Sequence, residues 1–297
     1  MKTPTNVLVG VCTHTGHVRT NNEDDYLLGS LPAPGPFFAA IADGMGGMAG
    51  GAEASRTALR AAATCVLDGA SKLSLAERVR EGFAAAGVRV FDASRAVPAL
   101  RDMGTTLTVL CLGDGTLTFG HVGDTRLYRV RAGRCEQMTT DHAVREPDNL
   151  LTRCIGAGYA TVAYDGGAFA VEVGDRFVLA TDGVWSVVPS AQFVRTVERG
   201  EAQATAEALV AAALALGGPD NATAVVVDLV MPVGGDLVER QLPRDERPDD
   251  RRSWPRPVSL RPPLWPWLLL AAGVLLAVHA TLRWCGFDRG VLTMFPG

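Results

Sequence analysis

Hydrophobic positions along this chain follow two periods. Residues 105–112 and 116–122 are short runs of threonine, leucine and valine separated by Gly113-Asp114-Gly115. Such β-branched runs joined by an Asp-Gly turn predict a β-hairpin. A Gly123-Asp124 pair then leads into 125–130, which extends the prediction to an antiparallel meander. Apolar runs at 37–42, 176–180 and 222–230 predict further strands, and the start of the chain, up to Cys12, reads as a first strand. The other period is helical. Residues 48–68 are alanine-rich, Ser74-Leu75-Ala76-Glu77 is a capping box opening a helix towards Arg95, and the helix over 202–216 is stopped by Gly217-Gly218. Strands in runs with helices between them predict an α+β fold, sheets covered by helices, rather than a parallel βαβ repeat.

Past residue 230 the pattern changes. Residues 236–263 are polar and proline-rich, a composition that buries too little apolar surface to order itself, and predict a linker after a folded domain over 1–235. Residues 264–283 then carry no formal charge until Arg283, with Trp265, Trp267 and Trp284 at the two ends. A spanning helix needs about 17–25 such residues, and interfacial aromatics belong at its ends. One transmembrane helix is the expectation, with 284–297 a short tail; a buried or amphipathic carboxy-terminal helix is the alternative. Arg251, Arg252, Arg256 and Arg261 precede the segment and only Arg283 and Arg289 follow it. That asymmetry predicts a single-pass protein of the cell membrane with its large domain in the cytoplasm.

Composition narrows the chemistry. The 297 residues carry a net charge of −4 and no basic block interleaved with aromatics, which argues against a nucleic-acid partner. The six cysteines are scattered without a CxxC pair, as in a reduced compartment. No phosphate-binding Gly-x-x-x-x-Gly-Lys loop is present, and His14, His17, His121 and His142 fit no zinc spacing.

What remains is a set of acidic islands: Arg19-Thr20-Asn21-Asn22-Glu23-Asp24, Asp43-Gly44-Met45-Gly46-Gly47, Thr181-Asp182-Gly183 and Gly218-Pro219-Asp220-Asn221. Asp43 and Asp182 each follow an apolar strand, and Asp220 immediately precedes one. Aspartates at strand ends beside glycine or proline can converge at one edge of a sheet stack. Oxygen-only ligands select Mg2+, Mn2+ or Ca2+ over zinc, and two such ions about 4 Å apart favour in-line attack on phosphorus. Arg19 can enter the same site, where its guanidinium fork would bind phosphate oxygens.

The order of these motifs, with Gly104-Thr105-Thr106, Gly123-Asp124-Thr125-Arg126 and Thr181 to Trp185 between them, resembles the metal-dependent protein phosphatase 2C family, bacterial branch, over about residues 6–232. The resemblance implies two packed antiparallel β-sheets flanked by helices, a four-layer sandwich. It implies hydrolysis of phosphoserine and phosphothreonine in proteins by a water activated between two Mn2+ or Mg2+ ions, with a third, looser ion in many members. Under it, Asp43 would bridge two metals and act with Arg19 in catalysis. Gly44 would bind one metal through its carbonyl, and Asp182 and Asp220 would complete the inner ligands. Glu23 and Asp24 would act through waters, Asp124 would support the third metal, and Arg19 would hold the substrate phosphate. Its partners would be phosphorylated proteins, including those of membrane-associated Ser/Thr kinase pathways, together with the bilayer itself.

Three departures from the family pattern stand out. Met45 occupies the place of a histidine proposed as general acid in animal members. Ser186 stands where many members carry an aspartate near the third metal. The stretch 141–155 is short where bacterial relatives insert a longer flap. Ser186 keeps open a second reading, a pseudophosphatase that binds phosphoproteins as a scaffold.

Overall fold

A computed structural model describes residues 6–32, 35–46, 50–144 and 150–230. The linker, spanning helix and tail expected over 236–297 lie outside the described residues. Among the described residues no helix is long and apolar enough to cross a membrane.

In chain order the elements are β1 (Asn6–His14), β2 (Asp24–Ser30), β3 (Phe37–Met45), α1 (Gly50–Val66), α2 (Leu75–Ala96), β4 (Gly104–Thr105), β5 (Leu107–Gly113), β6 (Thr116–Val122), β7 (Arg126–Arg131), β8 (Arg134–Gln137), β9 (Ala143–Val144), β10 (Leu150–Leu151), β11 (Ile155–Gly156), β12 (Asp165–Ala170), β13 (Arg176–Ala180), α3 (Asp182–Trp185), α4 (Ser190–Val197), α5 (Ala202–Ala215) and β14 (Ala222–Val230). Every strand pairing is antiparallel. One sheet has the order β1-β14-β13-β7-β8; a second runs β11-β4-β3-β5-β6-β12, with β2 on β3.

The side-chain alternation along each strand sorts residues between two cores. On β13, Phe177 and Leu179 join a cluster with Ile41, Leu110, Leu127 and Val225, drawn from both sheets. The intervening Val178 and Ala180 face α3, α4 and α5, together with Val226 and Leu209. On β3, Ala39 and Ile41 point between the sheets, whereas Phe38, Ala40 and Ala42 pack on α1 and α2 around Leu59 and Phe83. The result is helix, sheet, sheet, helix, in the order of layers implied by the resemblance.

The α2 capping box forms: the Glu77 N–H donates to Ser74 Oγ at 3.3 Å, and the Ser74 N–H donates to Glu77 Oε2 at 2.9 Å. The β5–β6 hairpin also forms, with Asp114 and Gly115 both at positive φ as a primed turn requires. The expected meander does not continue. β6 lies in the larger sheet and β7 in the other, so Gly123-Asp124-Thr125 crosses between sheets instead of closing a hairpin. Gly123 makes the crossing with φ +105°, and a Cβ there would sit 2.5 Å from Thr106 Cγ2. The strand β7 turns back onto β8 instead, through Ala132 and Gly133.

Phe177 is fully buried between the sheets. Phe177→Ala is expected to lower the unfolding free energy by about 3–5 kcal/mol, read from urea denaturation followed by far-ultraviolet circular dichroism.

Candidate active site

Antiparallel pairing brings the acidic islands to one end of the sandwich. Asp43 lies near the end of β3, opposite Asp24 at the start of β2. Asp182 follows β13, Asp220 precedes β14, and Asp124 sits on the crossing from β6 to β7. The Arg19 Nη2 donates to Asp220 Oδ2 at 2.8 Å. Its side chain is 54% exposed, so this ion pair adds little stability and leaves the guanidinium open to an anion from solvent.

The acids are gripped mainly through their backbones. The Asp43 N–H donates to Thr106 Oγ1 at 2.8 Å, while the Asp43 carbonyl accepts from the Thr106 N–H and from Thr105 Oγ1, both at 2.9 Å. Glu23 donates its N–H to Asn221 Oδ1 at 2.8 Å, and its carbonyl accepts from Ser55 Oγ at 2.8 Å and the Gly44 N–H at 3.1 Å. Asn221 also donates to the carbonyls of Thr15 and Asn21, stapling the Arg19–Glu23 loop to the start of β14. Trp185 Nε1 donates to the Asp124 carbonyl at 3.1 Å. Two glycines are required by contact: a Cβ on Gly44 would lie 2.1 Å from the Gly51 carbonyl oxygen, and one on Gly183 would lie 1.9 Å from that of Asn221.

Burial first, and crowding of acids second, set the electrostatics. Burial, then Asp24, Asp182, Asp124 and Asp220 in turn, hold the Asp43 carboxyl well above the usual carboxylate range. The Asp24 carboxyl is pushed up to about 7 by burial, against hydrogen bonds from Thr223 and Thr181, with Asp182 and Asp220 adding to the rise. Asp182 is raised by burial and by Asp220, and a hydrogen bond from Asp43 opposes this. Burial also raises Glu23, with Arg19 opposing.

The donor set fits hard divalent cations: five aspartates and a glutamate, all oxygen ligands, in a partly buried cluster of like charge. Asp24 Oδ1 is buried without a hydrogen-bond partner, an acceptor that a cation or its water shell would satisfy. Among the described residues no three acidic, histidine or cysteine side chains already surround one point as ligands; Asp43 and Asp182 hydrogen bond to each other instead. All eight residues singled out from sequence (Arg19, Glu23, Asp24, Asp43, Gly44, Asp124, Asp182 and Asp220) come to this end. The departures are placed too. Ser186 is exposed at the end of α3, its N–H on the Asp182 carbonyl at 2.9 Å, and the Met45 methyl covers Gly104.

Sequence reasoning missed the supports: Thr106, Ser55, Asn221, Thr181 and Trp185. All but Ser55 lie in motifs the sequence displays, but nothing in a threonine or asparagine of such a motif distinguishes a backbone hydrogen bond from an exposed turn.

A family profile for Protein phosphatase 2C matches residues 13–216. The serine/threonine protein phosphatase PstP of Mycobacterium tuberculosis is 32% identical over 234 residues, covering 72% of this chain and 43% of PstP, so the chain spans less than half of that relative's length. The protein phosphatase PhpP of Streptococcus pneumoniae is 28% identical over 244 residues, covering 74% of this chain and 97% of PhpP. The crystal structure of the PstP catalytic domain in complex with two manganese ions superposes with a TM-score of 0.69 at 29% identity, covering 76% of this chain and all of that one.

Raised carboxyls make a pH prediction. The folded chain keeps protons on Asp24, Asp43 and Asp182 that the unfolded chain has released above about pH 4, so their stabilisation is present in acid and is lost as pH rises, through about 7 for Asp24. Cation binding displaces those protons. Mn2+ is therefore expected to raise Tm more at pH 8 than at pH 5.5, read by thermal denaturation with and without EDTA; an equal shift at both pH values would contradict the raised carboxyls.

Proposed function

This chain belongs to the protein phosphatase 2C family, and on that premise we propose that it is a Mn2+- or Mg2+-dependent protein serine/threonine phosphatase acting on phosphoserine and phosphothreonine. The observation that carries this reading is the convergence of Asp24, Asp43, Asp182 and Asp220 beside Arg19 at one end of the sandwich. In the proposed assignment Asp43, Asp182, Asp220 and the Gly44 carbonyl hold two cations. Glu23 and Asp24 hold their water shells, and Asp124 serves a third ion. When bound, such cations supply Lewis acidity and bring the pKa of water towards neutrality.

The chain's own residues do the rest. Arg19 is exposed enough to receive a phosphate dianion from solvent and to orient it bidentately. Its contact with Asp220 fixes the guanidinium next to the acids, so a phosphate it holds lies against the acidic cluster. Asn221 keeps the Arg19–Glu23 loop from drifting away from β14. Position 45 offers a thioether and no proton, so no side-chain acid reaches a departing serine or threonine oxygen from there.

The charge-free segment at 264–283, its tryptophans and the arginines before it support a single-pass membrane tether with the phosphatase domain in the cytoplasm. A tether would hold the domain at high effective concentration near membrane-associated phosphoproteins, including those of Ser/Thr kinase pathways.

Full-length protein in detergent is expected to hydrolyse a phosphothreonine peptide with Mn2+ and not with EDTA, and Asp43→Asn to lose at least ~100-fold in kcat/KM. A folded, Mn2+-loaded wild type inactive on several phosphopeptides would favour the scaffold reading instead. The tether is checked by fractionation: the full chain should sediment with membranes and be released by detergent but not by salt, and deletion of 264–297 should free it.

A further inference from the structure

We propose that Asp141 and His142 form a clamp that positions Asp124, and that the clamp thereby sets how well the acidic cluster holds its weakest cation. The inference rests on the phosphatase reading of the site.

Asp124 sits on a crossing only three residues long between the two sheets, buried and within electrostatic reach of Asp43. Both of its flanks lead to the same dipeptide. On one side, the His142 N–H donates to the Gly123 carbonyl at 2.7 Å, and the Gly123 N–H donates to His142 Nδ1 at 3.2 Å. A backbone N–H can only donate, so Nδ1 is unprotonated and the ring proton is on Nε2. That nitrogen faces Asp165 Oδ2 on β12 at 3.0 Å. The imidazole is thus a strut fixed at both ends, from the edge of the larger sheet to the residue before Asp124. Thr106 fills the space where a Cβ on Gly123 would stand.

On the other side, Arg126 forks onto Asp141 with contacts of 3.0 and 2.8 Å. The Arg126 guanidinium stacks 3.5 Å from the centre of the Trp185 ring, and the Trp185 indole N–H holds the Asp124 carbonyl. Gly123, Arg126 and, through Trp185, the Asp124 carbonyl are therefore all tied to residues 141 and 142. Because Trp185 is three residues from Asp182, the same ring fixes Asp124 relative to the proposed inner ligands.

The test is Mn2+ titration of full-length, detergent-solubilised protein with free Mn2+ read by electron paramagnetic resonance. His142→Ala is expected to raise the Kd of the weakest bound Mn2+ by about tenfold, as Asp124→Asn does. The combined variant should be no weaker than Asp124→Asn alone, the signature of one shared mechanism. His142→Asn, whose Oδ1 can stand where Nδ1 stands, should recover to within about threefold, and His142→Gln should not. An unchanged isotherm in His142→Ala, additive losses in the combined variant, or uniform weakening of every Mn2+ with a lowered Tm would overturn the clamp. If the alanine variant does not fold, equal behaviour of the asparagine and glutamine variants overturns it. A wild type that binds no Mn2+ overturns both this inference and the phosphatase reading. A wild type that cleaves a phosphothreonine peptide while His142→Ala titrates normally overturns the clamp alone.

Discussion

The cost of holding carboxylates out of water and close together is the constraint around which this molecule is organised. Asp43 is half-buried beside Asp24, Asp182, Asp124 and Asp220, and each added negative charge raises the cost of ionising the others. Left to themselves, those side chains would turn outward to water. They do not, because the hydrogen bonds that fix them are made largely to the main chain. Thr105 and Thr106 bracket the Asp43 peptide, Asn221 and Ser55 bracket that of Glu23, and Trp185 holds the Asp124 carbonyl. The geometry is set largely without drawing on the carboxylate oxygens. Where carboxylate oxygens are bonded, as by Arg19 on Asp220, an acceptor is still left over at Asp24: Thr181 donates to one of its oxygens, and the other has no partner.

The two-sheet stack supplies the rigidity this requires. Asp43 and Asp24 belong to one sheet, Asp182 and Asp220 to the other, so their separation depends on how the sheets pack. That packing is an interdigitated layer of Ile41, Leu110, Leu127, Phe177 and Val225, which resists sliding because close-packed interiors have no room to deform continuously. Across the site end, polar links reinforce it: Thr181 to Asp24, Asn221 to Glu23, and Thr106 to Thr125 at 2.7 Å. Each joins a residue of one sheet, or the loop leading into it, to the other.

The sequence carried the strands and the acids more clearly than the connections. Asp114-Gly115 and Gly123-Asp124 look alike between β-branched runs, yet one closes a hairpin and the other crosses between sheets. What separates them is tertiary: Gly123 is held between close approach of Thr106 and a hydrogen bond to His142, and neither contact leaves a local mark. The acids were legible because an aspartate at the end of an apolar strand has few structural reasons to be there. Their supports were not, because a threonine within a β run is already explained by strand propensity. His142 in a short polar stretch reads as an ordinary loop histidine until its two nitrogens are seen to be committed.

Holding acids together in this way shifts stability from the domain to its ligands. A carboxyl such as that of Asp24, pushed up to about 7, disfavours its own ionised form in the folded chain. A cation that compensates the charge removes that penalty, so part of the binding free energy is relief of strain already present in the fold. The supporting hydrogen bonds then matter in proportion to how closely they oppose the repulsion. Loosening the peptide of Asp43 or Asp124 would let the acids spread, which stabilises the cation-free chain and weakens its grip on cations. Stability and cation affinity are thus traded through the same residues, the expected signature of a site held in tension by its scaffold rather than of an acidic surface patch.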